Sequence, residues 1–305
     1  MQKKALFLQK EHILKEQREE LIFLFREYLP GYQPFFTSSA GEVAPGAAFH
    51  LVITAFYPFF PDVMKKIGKP EHLHFTSSGT DSLWDIADGL DLDGVAITNS
   101  AGVNAVTISE HVMAGILAFA KNLHRYRDQQ AKKEWKRHWH IEVSGQNALI
   151  IGLGNVGREV ARRCSALGLH VTGCDLISPN DPHVERHVDI GELPEVVPQA
   201  DYVIICVPLT RDTRGMVNHS LLNRFKKTAV LVNVSRGEVA EEEALIHCLR
   251  QHRIKGAVLD VFDQEPLPAT HPFWGMDQVI LTPHVAGTTQ HYMRNMFRIL
   301  RDKLQ

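Results

Sequence analysis

The sequence predicts an α/β protein made of two domains, each built around a doubly wound parallel sheet. Short apolar runs of strand length alternate with helical patterns along most of the chain, which is typical of parallel sheets. One of these runs leads directly into the glycine-rich turn GLGNVG, which opens a helix. The chain has 305 residues, 44% hydrophobic and 22% charged, so it can build the cores of two such domains.

The first hundred residues predict the smaller domain. An amphipathic helix is predicted between Glu11 and Tyr28. The predicted strands of this domain are residues 5–8, 50–55, 73–76 and 95–98. After Gly102, the segment VNAVTISEHVMAGILAFAKNLHRY is apolar along much of its length. This segment predicts one long helix that joins the two domains.

The rest of the chain predicts a larger sheet of six strands. These strands are residues 148–153, 170–174, 202–207, 229–234, 256–259 and 279–281. Helical segments separate several of them, notably residues 241–251, whose apolar side chains recur on one helical face. Because strands and helices alternate, we expect the strands to be parallel and the helices to cover the sheet.

The GLGNVG turn has the context that a dinucleotide-binding site requires. An apolar strand precedes it, a helix follows, and a second strand ends on Asp175, 18 positions after Gly157. Gly152 would allow the tight turn, Gly154 the approach of a pyrophosphate, and Gly157 the close packing of helix on strand. The phosphates would lie at the positive end of the helix that begins near Asn155. The alternative is a parallel α/β unit with a glycine turn that binds nothing.

The acidic residue after the second strand predicts which dinucleotide is bound. Asp175 would accept hydrogen bonds from both hydroxyls of an adenosine ribose, and it would repel a 2′-phosphate. The sequence therefore predicts NAD as the cofactor in preference to NADP.

Composition and charge exclude several other classes of protein. A net charge of −2 gives no electrostatic reason to bind nucleic acid or an anionic membrane. No apolar run is long enough to span a bilayer, and the opening MQKKALFLQK has too short an apolar run for a signal peptide. The four cysteines form no C-x-x-C pair, so we expect buried thiols in a reducing compartment and a cytoplasmic protein.

Chemically capable side chains follow the last three strands of the larger sheet. Arg236 follows the fourth strand, Asp260 and Glu265 the fifth, and His284 the sixth. Because the carboxyl ends of parallel strands meet at one edge, we expect these residues to converge beside the glycine turn. Each also has a simpler interpretation: a turn-capping arginine, a glutamate in a solvated loop, and one of 17 histidines.

Two histidine pairs and one basic run do not predict further sites. HLH (His72 to His74) and HWH (His138 to His140) have no third clustered ligand, so we expect no metal site. The run KKEWKRHWH is interpreted as a solvated helix face with aromatic packing, because the chain has no wider basic surface for nucleic acid.

The motifs IIGLGNVGREVA, VSRGEVAEEEAL, AVLDVFDQEPLP and VILTPHVAGTT together resemble the D-isomer-specific 2-hydroxyacid dehydrogenase family. FTSSGTDSLW and SAGVNAVTISEH are similar to that family's substrate-domain loop and interdomain helix. The likeness extends from about Leu51 onward. It implies two Rossmann-like or flavodoxin-like domains linked by long interdomain helices. The substrate domain would comprise residues 1–100 and 288–305, and the NAD-binding domain residues 101–287.

The resemblance also implies a role for each candidate residue. Arg236 would bind the substrate carboxylate and polarise the 2-oxo group, and His284 would exchange a proton with the carbonyl oxygen. Glu265 would hold the second ring nitrogen of that histidine. Backbone N–H groups of Ser78 and Gly79 would receive the substrate carboxylate. The residues implied to bind the cofactor are Gly152, Gly154, Asn155, Val156, Gly157, Asp175, Val207, Pro208, Thr213, Val234, Asp260 and Gly287, with Asp260 on the nicotinamide carboxamide.

Two functions remain open on the sequence. The first is an NAD-dependent enzyme that transfers a hydride between the cofactor and a 2-oxoacid/D-2-hydroxyacid pair, acting as a 2-oxoacid reductase. The second is an NAD-sensing binding protein of the corepressor type without turnover. The resemblance further implies a twofold homodimer through the coenzyme domains. The apolar stretch 103–120 and the aromatic segment 135–139 support this, although the helix could instead be buried within one chain.

Overall fold

The structure is a computed structural model that describes residues 2–79, 89–177 and 180–305. The chain divides into two compact units, Met1–Asn104 with Thr289–Gln305 and Ala105–Thr288. Each unit contains one sheet in which every pair of neighbouring strands is parallel. The predicted α/β fold class is therefore confirmed.

The first unit has a five-stranded sheet in the order β2-β1-β3-β4-β5. Its strands are β1 (Lys3–Leu8), β2 (Tyr32–Thr37), β3 (Leu51–Thr54), β4 (His72–Phe75) and β5 (Ala96–Asn99). Its helices include α1 (Glu11–Tyr28), α2 (Phe60–Lys66) and the C-terminal helix Tyr292–Leu304. Successive strand residues point to opposite faces, so Phe7 packs with Phe25 and Phe297 while Leu6 and Leu8 join a second cluster.

The sequence pattern does not predict strand β2. Its residues YQPFFT contain a proline and include one buried side chain, Thr37. A strand at the edge of a sheet tolerates proline because its outer N–H groups have no ladder partner. The strand therefore has neither the alternation nor the apolar run by which strands are recognised.

The second unit has a seven-stranded sheet in the order β12-β11-β10-β9-β6-β7-β8. The strands are β6 (Asn147–Ile151), β7 (His170–Cys174), β8 (Arg186–Val188), β9 (Tyr202–Ile205), β10 (Val230–Asn233), β11 (Gly256–Leu259) and β12 (Val279–Leu281). The helices are α3 (Ala105–Ala120), α4 (Leu123–Lys132), α5 (Asn155–Ala166), α6 (Leu193–Val196), α7 (His219–Leu222) and α8 (Glu242–Arg250). Strand order reverses between β6 and β9, and ligands of such sheets bind at that reversal, beyond the carboxyl ends of the strands. The three-residue edge strand β8 was not predicted.

The prediction of one long helix after Gly102 is wrong. Helix α3 ends at Ala120 and α4 begins at Leu123, because Asn122 between them adopts a left-handed conformation with φ of 53°. Asparagine tolerates this conformation better than most residues do. The Asn122 side chain also donates a hydrogen bond to the carbonyl of Trp139 at 2.9 Å, which fixes the break.

Two observations concern the helices and the cysteines. Within the three described ranges, no helix combines the length and apolarity needed to cross a membrane. The four cysteines are unpaired, and burial raises the pKa of the Cys164 and Cys174 thiols to about 12. These two thiols are therefore unreactive in the folded protein at neutral pH.

Candidate active site

The glycine turn lies at the carboxyl end of β6 and leads into α5. Gly152 has a φ of 97°, and a Cβ on Gly157 would lie 1.8 Å from the carbonyl oxygen of Gly152. Only glycine at position 157 therefore lets the helix start so close to the strand. A Cβ on Gly154, by contrast, would meet nothing within 4 Å.

The first turn of α5 can receive an anion. Gly154 caps the helix, so the N–H groups of Asn155, Val156 and Gly157 occupy the turn that has no carbonyl acceptor inside the helix. The helix dipole adds positive potential at the same point. The open space beside Gly154 and the backbone N–H donors of this turn fit a pyrophosphate.

Asp175 follows β7 and lies against the glycine turn. Its Oδ2 atom accepts a hydrogen bond from the Leu153 N–H at 2.5 Å, and Oδ1 accepts one from Ile177 N–H at 3.4 Å. The side chain is half-buried, so part of the carboxylate stays accessible. This is the location at which the sequence predicts contact with a ribose.

The loops after β9 and β10 complete this edge. Val207 is buried, and its backbone nitrogen would lie 2.7 Å from a Cβ on Gly152. The Thr213 hydroxyl donates to the Pro208 carbonyl at 2.6 Å, and Val234, directly after β10, is buried. The predicted residues Val207, Pro208, Thr213 and Val234 therefore lie in or beside the loops at this edge, and Gly287 lies within the loop after β12.

Arg236 is held by a tight turn after β10. The buried Asn233 side chain accepts from the Ser235 N–H at 3.1 Å and donates to the Arg236 carbonyl at 2.9 Å. A Cβ on Gly237 would lie 2.1 Å from the carbonyl carbon of Phe262, so only glycine allows this turn to pack against the loop after β11. Asn233, which directly precedes the motif VSRGEVAEEEAL, was not identified as a site residue from the sequence.

Glu265 and His284 form a hydrogen-bonded pair. The Glu265 Oε2 atom lies 2.7 Å from His284 Nδ1, and Oε1 accepts from the Phe262 N–H at 3.1 Å. Because a carboxylate can only accept, the proton of this bond is on Nδ1, which leaves Nε2 for another partner. The side chains are 35% and 48% exposed, so a ligand can reach them. His284 also has a φ of 51°, an uncommon conformation for a non-glycine residue.

Asp260 fixes the loop that carries His284. This buried carboxylate, 1% exposed, accepts from the Thr282 hydroxyl at 2.6 Å and from the N–H groups of Val285 and Ala286 at 2.9 Å each. Its contact with a nicotinamide carboxamide stays a prediction, whereas its contacts with residues 282–286 are direct. Thr282, which sequence reasoning missed, is the residue two positions before the predicted histidine.

In the first unit, Ser78 and Gly79 follow the carboxyl end of β4. The Ser77 hydroxyl donates to the Gly79 carbonyl at 2.9 Å, and the Tyr292 hydroxyl donates to the Thr76 carbonyl at 2.6 Å. These two bonds anchor the loop that contains the Ser78 and Gly79 N–H groups. The rest of the matched motif, residues 80–84, lies outside the described residues, and the role in carboxylate binding stays a prediction.

The histidine pairs of HLH and HWH have protein partners. Ring nitrogens of His72 and His74 lie 2.7 and 2.8 Å from Thr98 Oγ1. His138 and His140 contact side chains of α4. In the part of the chain that the structure describes, no three His, Cys, Asp or Glu side chains are grouped so that they could hold a metal ion.

A family model matches the chain, and so do curated relatives. The model described as D-isomer specific 2-hydroxyacid dehydrogenase, NAD binding domain, matches residues 113–286. A glyoxylate reductase of Korarchaeum cryptofilum is 33% identical over 217 residues, which cover 69% of this chain and 65% of the relative. A D-3-phosphoglycerate dehydrogenase of Methanocaldococcus jannaschii is 30% identical over 247 residues, 80% of this chain and 47% of the relative. The chain thus aligns with less than two thirds of either relative.

Solved structures share the fold over the whole chain. A crystal structure of a D-isomer specific 2-hydroxyacid dehydrogenase family protein from Aeromonas salmonicida has a TM-score of 0.85 at 26% identity, covering 100% of this chain and 95% of the other. An NADPH-dependent glyoxylate/hydroxypyruvate reductase from Sinorhizobium meliloti, solved with NADP and sulfate, has a TM-score of 0.80 at 23% identity, covering 99% and 92%. The second likeness shows the fold alone.

Proposed function

The chain belongs to the D-isomer specific 2-hydroxyacid dehydrogenase family, and we propose that it is an NAD-dependent reductase of 2-oxoacids to D-2-hydroxyacids. The observation that carries this proposal is the pair of Glu265 and His284, 2.7 Å apart and accessible, in the loops after β11 and β12. These loops belong to the sheet edge that also carries the glycine turn. A proton donor and a dinucleotide cradle on one edge are what oxoacid reduction needs.

Arg236 binds and orients the substrate. Its guanidinium group is permanently charged and can grip a carboxylate through two parallel N–H donors. The same charge polarises the 2-oxo group, which makes the carbonyl carbon more electrophilic. The turn built by Asn233 and Gly237 supports this role, because it limits where the side chain can reach.

His284 moves the proton. In its protonated form, Nε2 donates to the carbonyl oxygen as negative charge develops there, and in the reverse direction neutral Nε2 accepts the proton from the hydroxyl. Glu265 keeps Nδ1 protonated and orients the ring. Asp260 is a positioning residue, because it holds the backbone of residues 285 and 286 directly after the histidine.

The cofactor of the proposed reaction is NAD. When bound, its nicotinamide supplies or accepts the hydride. The first turn of α5 would bind the pyrophosphate, and Asp175 would bind the adenosine ribose and disfavour a 2′-phosphate.

Loss of NADH absorbance on adding 2-oxoacids tests the proposal. His284→Ala should lower kcat for glyoxylate reduction by roughly two to four orders of magnitude while NADH binding, followed by fluorescence titration, stays close to wild type. Arg236→Lys keeps the charge but loses the fork, so it should raise KM as well as lower kcat. The chain offers a matched control in His170→Ala, because His170 pairs with Glu185 at 3.0 Å but lies at the amino end of β7. Equal activity of His284→Ala and His170→Ala would refute the role of His284.

The second candidate is an NAD-sensing binding protein of the corepressor type. The features of the site that favour the enzyme do not contradict this function, because a sensor can keep the same residues. The two are separated by turnover: a sensor would bind NADH and reduce none of glyoxylate, hydroxypyruvate, pyruvate or longer 2-oxoacids.

We also propose a cytoplasmic homodimer. Trp135 and Trp139 are 98% and 99% exposed, far more than is usual for so large an apolar side chain. We expect a second copy of the chain to bury these two side chains, because closed twofold dimers are the commonest soluble assembly. Sedimentation equilibrium at micromolar concentration should give about twice the 34.4 kDa chain mass, and a monomeric mass would rule the dimer out.

A further inference from the structure

An apolar pocket opens directly beside the Glu265–His284 pair. Its volume is about 340 Å³, and both members of the pair form part of its wall. The remaining wall includes Phe262 and Leu267 from the loop after β11, Trp274, and Leu281 of β12. A ligand that reaches His284 is therefore within reach of a pocket much larger than a two-carbon acid needs.

Apart from His284 Nε2, which is left for the substrate, the polar side-chain groups in this wall are bonded within the protein. Glu265 uses one carboxylate oxygen for His284 and the other for the Phe262 N–H. The Trp274 Nε1–H donates to the Pro268 carbonyl at 2.9 Å, so the indole presents only its apolar surface. Of the described residues that line the pocket, none is lysine or arginine. With His284 engaged with the carbonyl oxygen, a second anionic group on a ligand would find no lysine or arginine side chain in this wall.

We propose that this pocket is the subsite for the substrate's side chain, and that it selects 2-oxoacids with a branched aliphatic or aromatic side chain. The inference rests on the proposed reductase function and deepens it. In this proposal the carbonyl oxygen lies at His284 Nε2, the carboxylate lies at Arg236, and the third substituent of the carbonyl carbon occupies the pocket lined by Phe262, Leu267 and Trp274. Transfer of an apolar side chain into this wall is favourable, and transfer of a phosphate, sulfonate or second carboxylate is not.

The pocket predicts an order of substrates for the full-length protein. The kcat/KM for 4-methyl-2-oxopentanoate and for phenylpyruvate should exceed that for glyoxylate by at least about 10-fold, since each added carbon that enters an apolar pocket improves transition-state binding. The kcat/KM for 2-oxoglutarate, which is of similar length but carries a second carboxylate, should be lower than that for either apolar acid. Each substrate is assayed with both NADH and NADPH, so that inactivity with one cofactor is not mistaken for inactivity with the substrate.

Two substitutions test the wall itself. Trp274→Ala removes a side chain that is already 58% exposed, so the fold should tolerate it. It should lower the ratio of kcat/KM for 4-methyl-2-oxopentanoate to that for glyoxylate by about 10-fold, mainly through KM. Leu267→Lys places a cation in the pocket. It should raise the ratio of kcat/KM for 2-oxoglutarate to kcat/KM for 4-methyl-2-oxopentanoate by at least about 10-fold. The matched control is Leu167→Lys at the end of α5, where the leucine is 40% exposed, and it should leave both ratios unchanged.

The possible outcomes separate this proposal from the proposed function. Reduction of glyoxylate without a preference for the apolar acids, or unchanged ratios in both variants, overturns the subsite and leaves the reductase intact. A changed oligomeric mass for Trp274→Ala with unchanged ratios also overturns it and assigns the pocket to a second copy of the chain. Failure to reduce any 2-oxoacid, glyoxylate included, overturns the reductase and the subsite together.

Discussion

Acidification should destabilise the first unit through one buried histidine, His74. Its side chain is 0% exposed on β4, and its Nε2 and Nδ1 atoms lie 3.0 Å from Ser100 Oγ and 2.8 Å from Thr98 Oγ1. The Ser100 hydroxyl donates to the Phe75 carbonyl, so its oxygen accepts from His74 Nε2. The neutral imidazole is therefore fully bonded, whereas a charged one would be buried without a carboxylate in these contacts.

The size of the effect follows from the pKa. Burial, with a smaller contribution from the positive charge of Lys303, lowers the pKa of His74 from 6.5 to about 3. Below pH 6.5 the unfolded chain binds this proton and the folded chain does not. The contribution of neutral His74 to the free energy of unfolding is therefore complete above pH 6.5 and is lost as the pH falls from 6.5 to 3. At pH 5 the two pKa values correspond to a loss of about 2 kcal/mol relative to pH 7.5.

Urea unfolding followed by far-UV circular dichroism, with hydrogen exchange on β3 to β5, measures this loss. His74→Gln keeps a polar side chain that has no charge to gain. The free energy of unfolding of the wild type, relative to that of His74→Gln, should therefore fall by about 2 kcal/mol between pH 7.5 and pH 5. A difference that is constant over this pH range would refute the assignment of a buried, neutral His74.

Three further predictions concern the second unit. Glu265→Gln should move the pH optimum of oxoacid reduction to lower pH, because an amide cannot stabilise the imidazolium of His284 at 2.7 Å; a profile that is unmoved or shifted to alkaline pH would contradict the pair. Asp175→Ser should raise the kcat/KM for NADPH relative to NADH, because the repulsion of a 2′-phosphate is removed; a native enzyme that already uses NADPH as well as NADH would contradict the role of Asp175. Cys164 and Cys174, with pKa values raised to about 12, should resist a thiol reagent at pH 8 and react after unfolding in urea, and rapid labelling of the native protein would contradict their burial.

The sequence by itself determined the fold class and the candidates of the site. Strand-length apolar runs followed by helical patterns specify parallel α/β units, and β6, β7 and α5 lie within one or two residues of their predicted positions. Residues in the loops that follow such strands lie toward the same edge of the sheet. This is why Arg236, Glu265 and His284 could be selected before any coordinates.

Tertiary structure alone decided what the pattern does not encode. The edge strands β2 and β8 are set by pairing with a neighbouring strand, and the break at Asn122 by a backbone conformation and a bond to Trp139. The same holds for Asp260, because the sequence shows a carboxylate after β11 but not the three donors that surround it. Among the described residues, the ring nitrogens of His170, His271 and His284 each lie within 3.0 Å of a glutamate oxygen. Spacing along the chain does not distinguish these three His–Glu pairs. Contacts between distant segments depend on how strands are ordered and how loops pack, and these are properties of the folded chain rather than of any local window of residues.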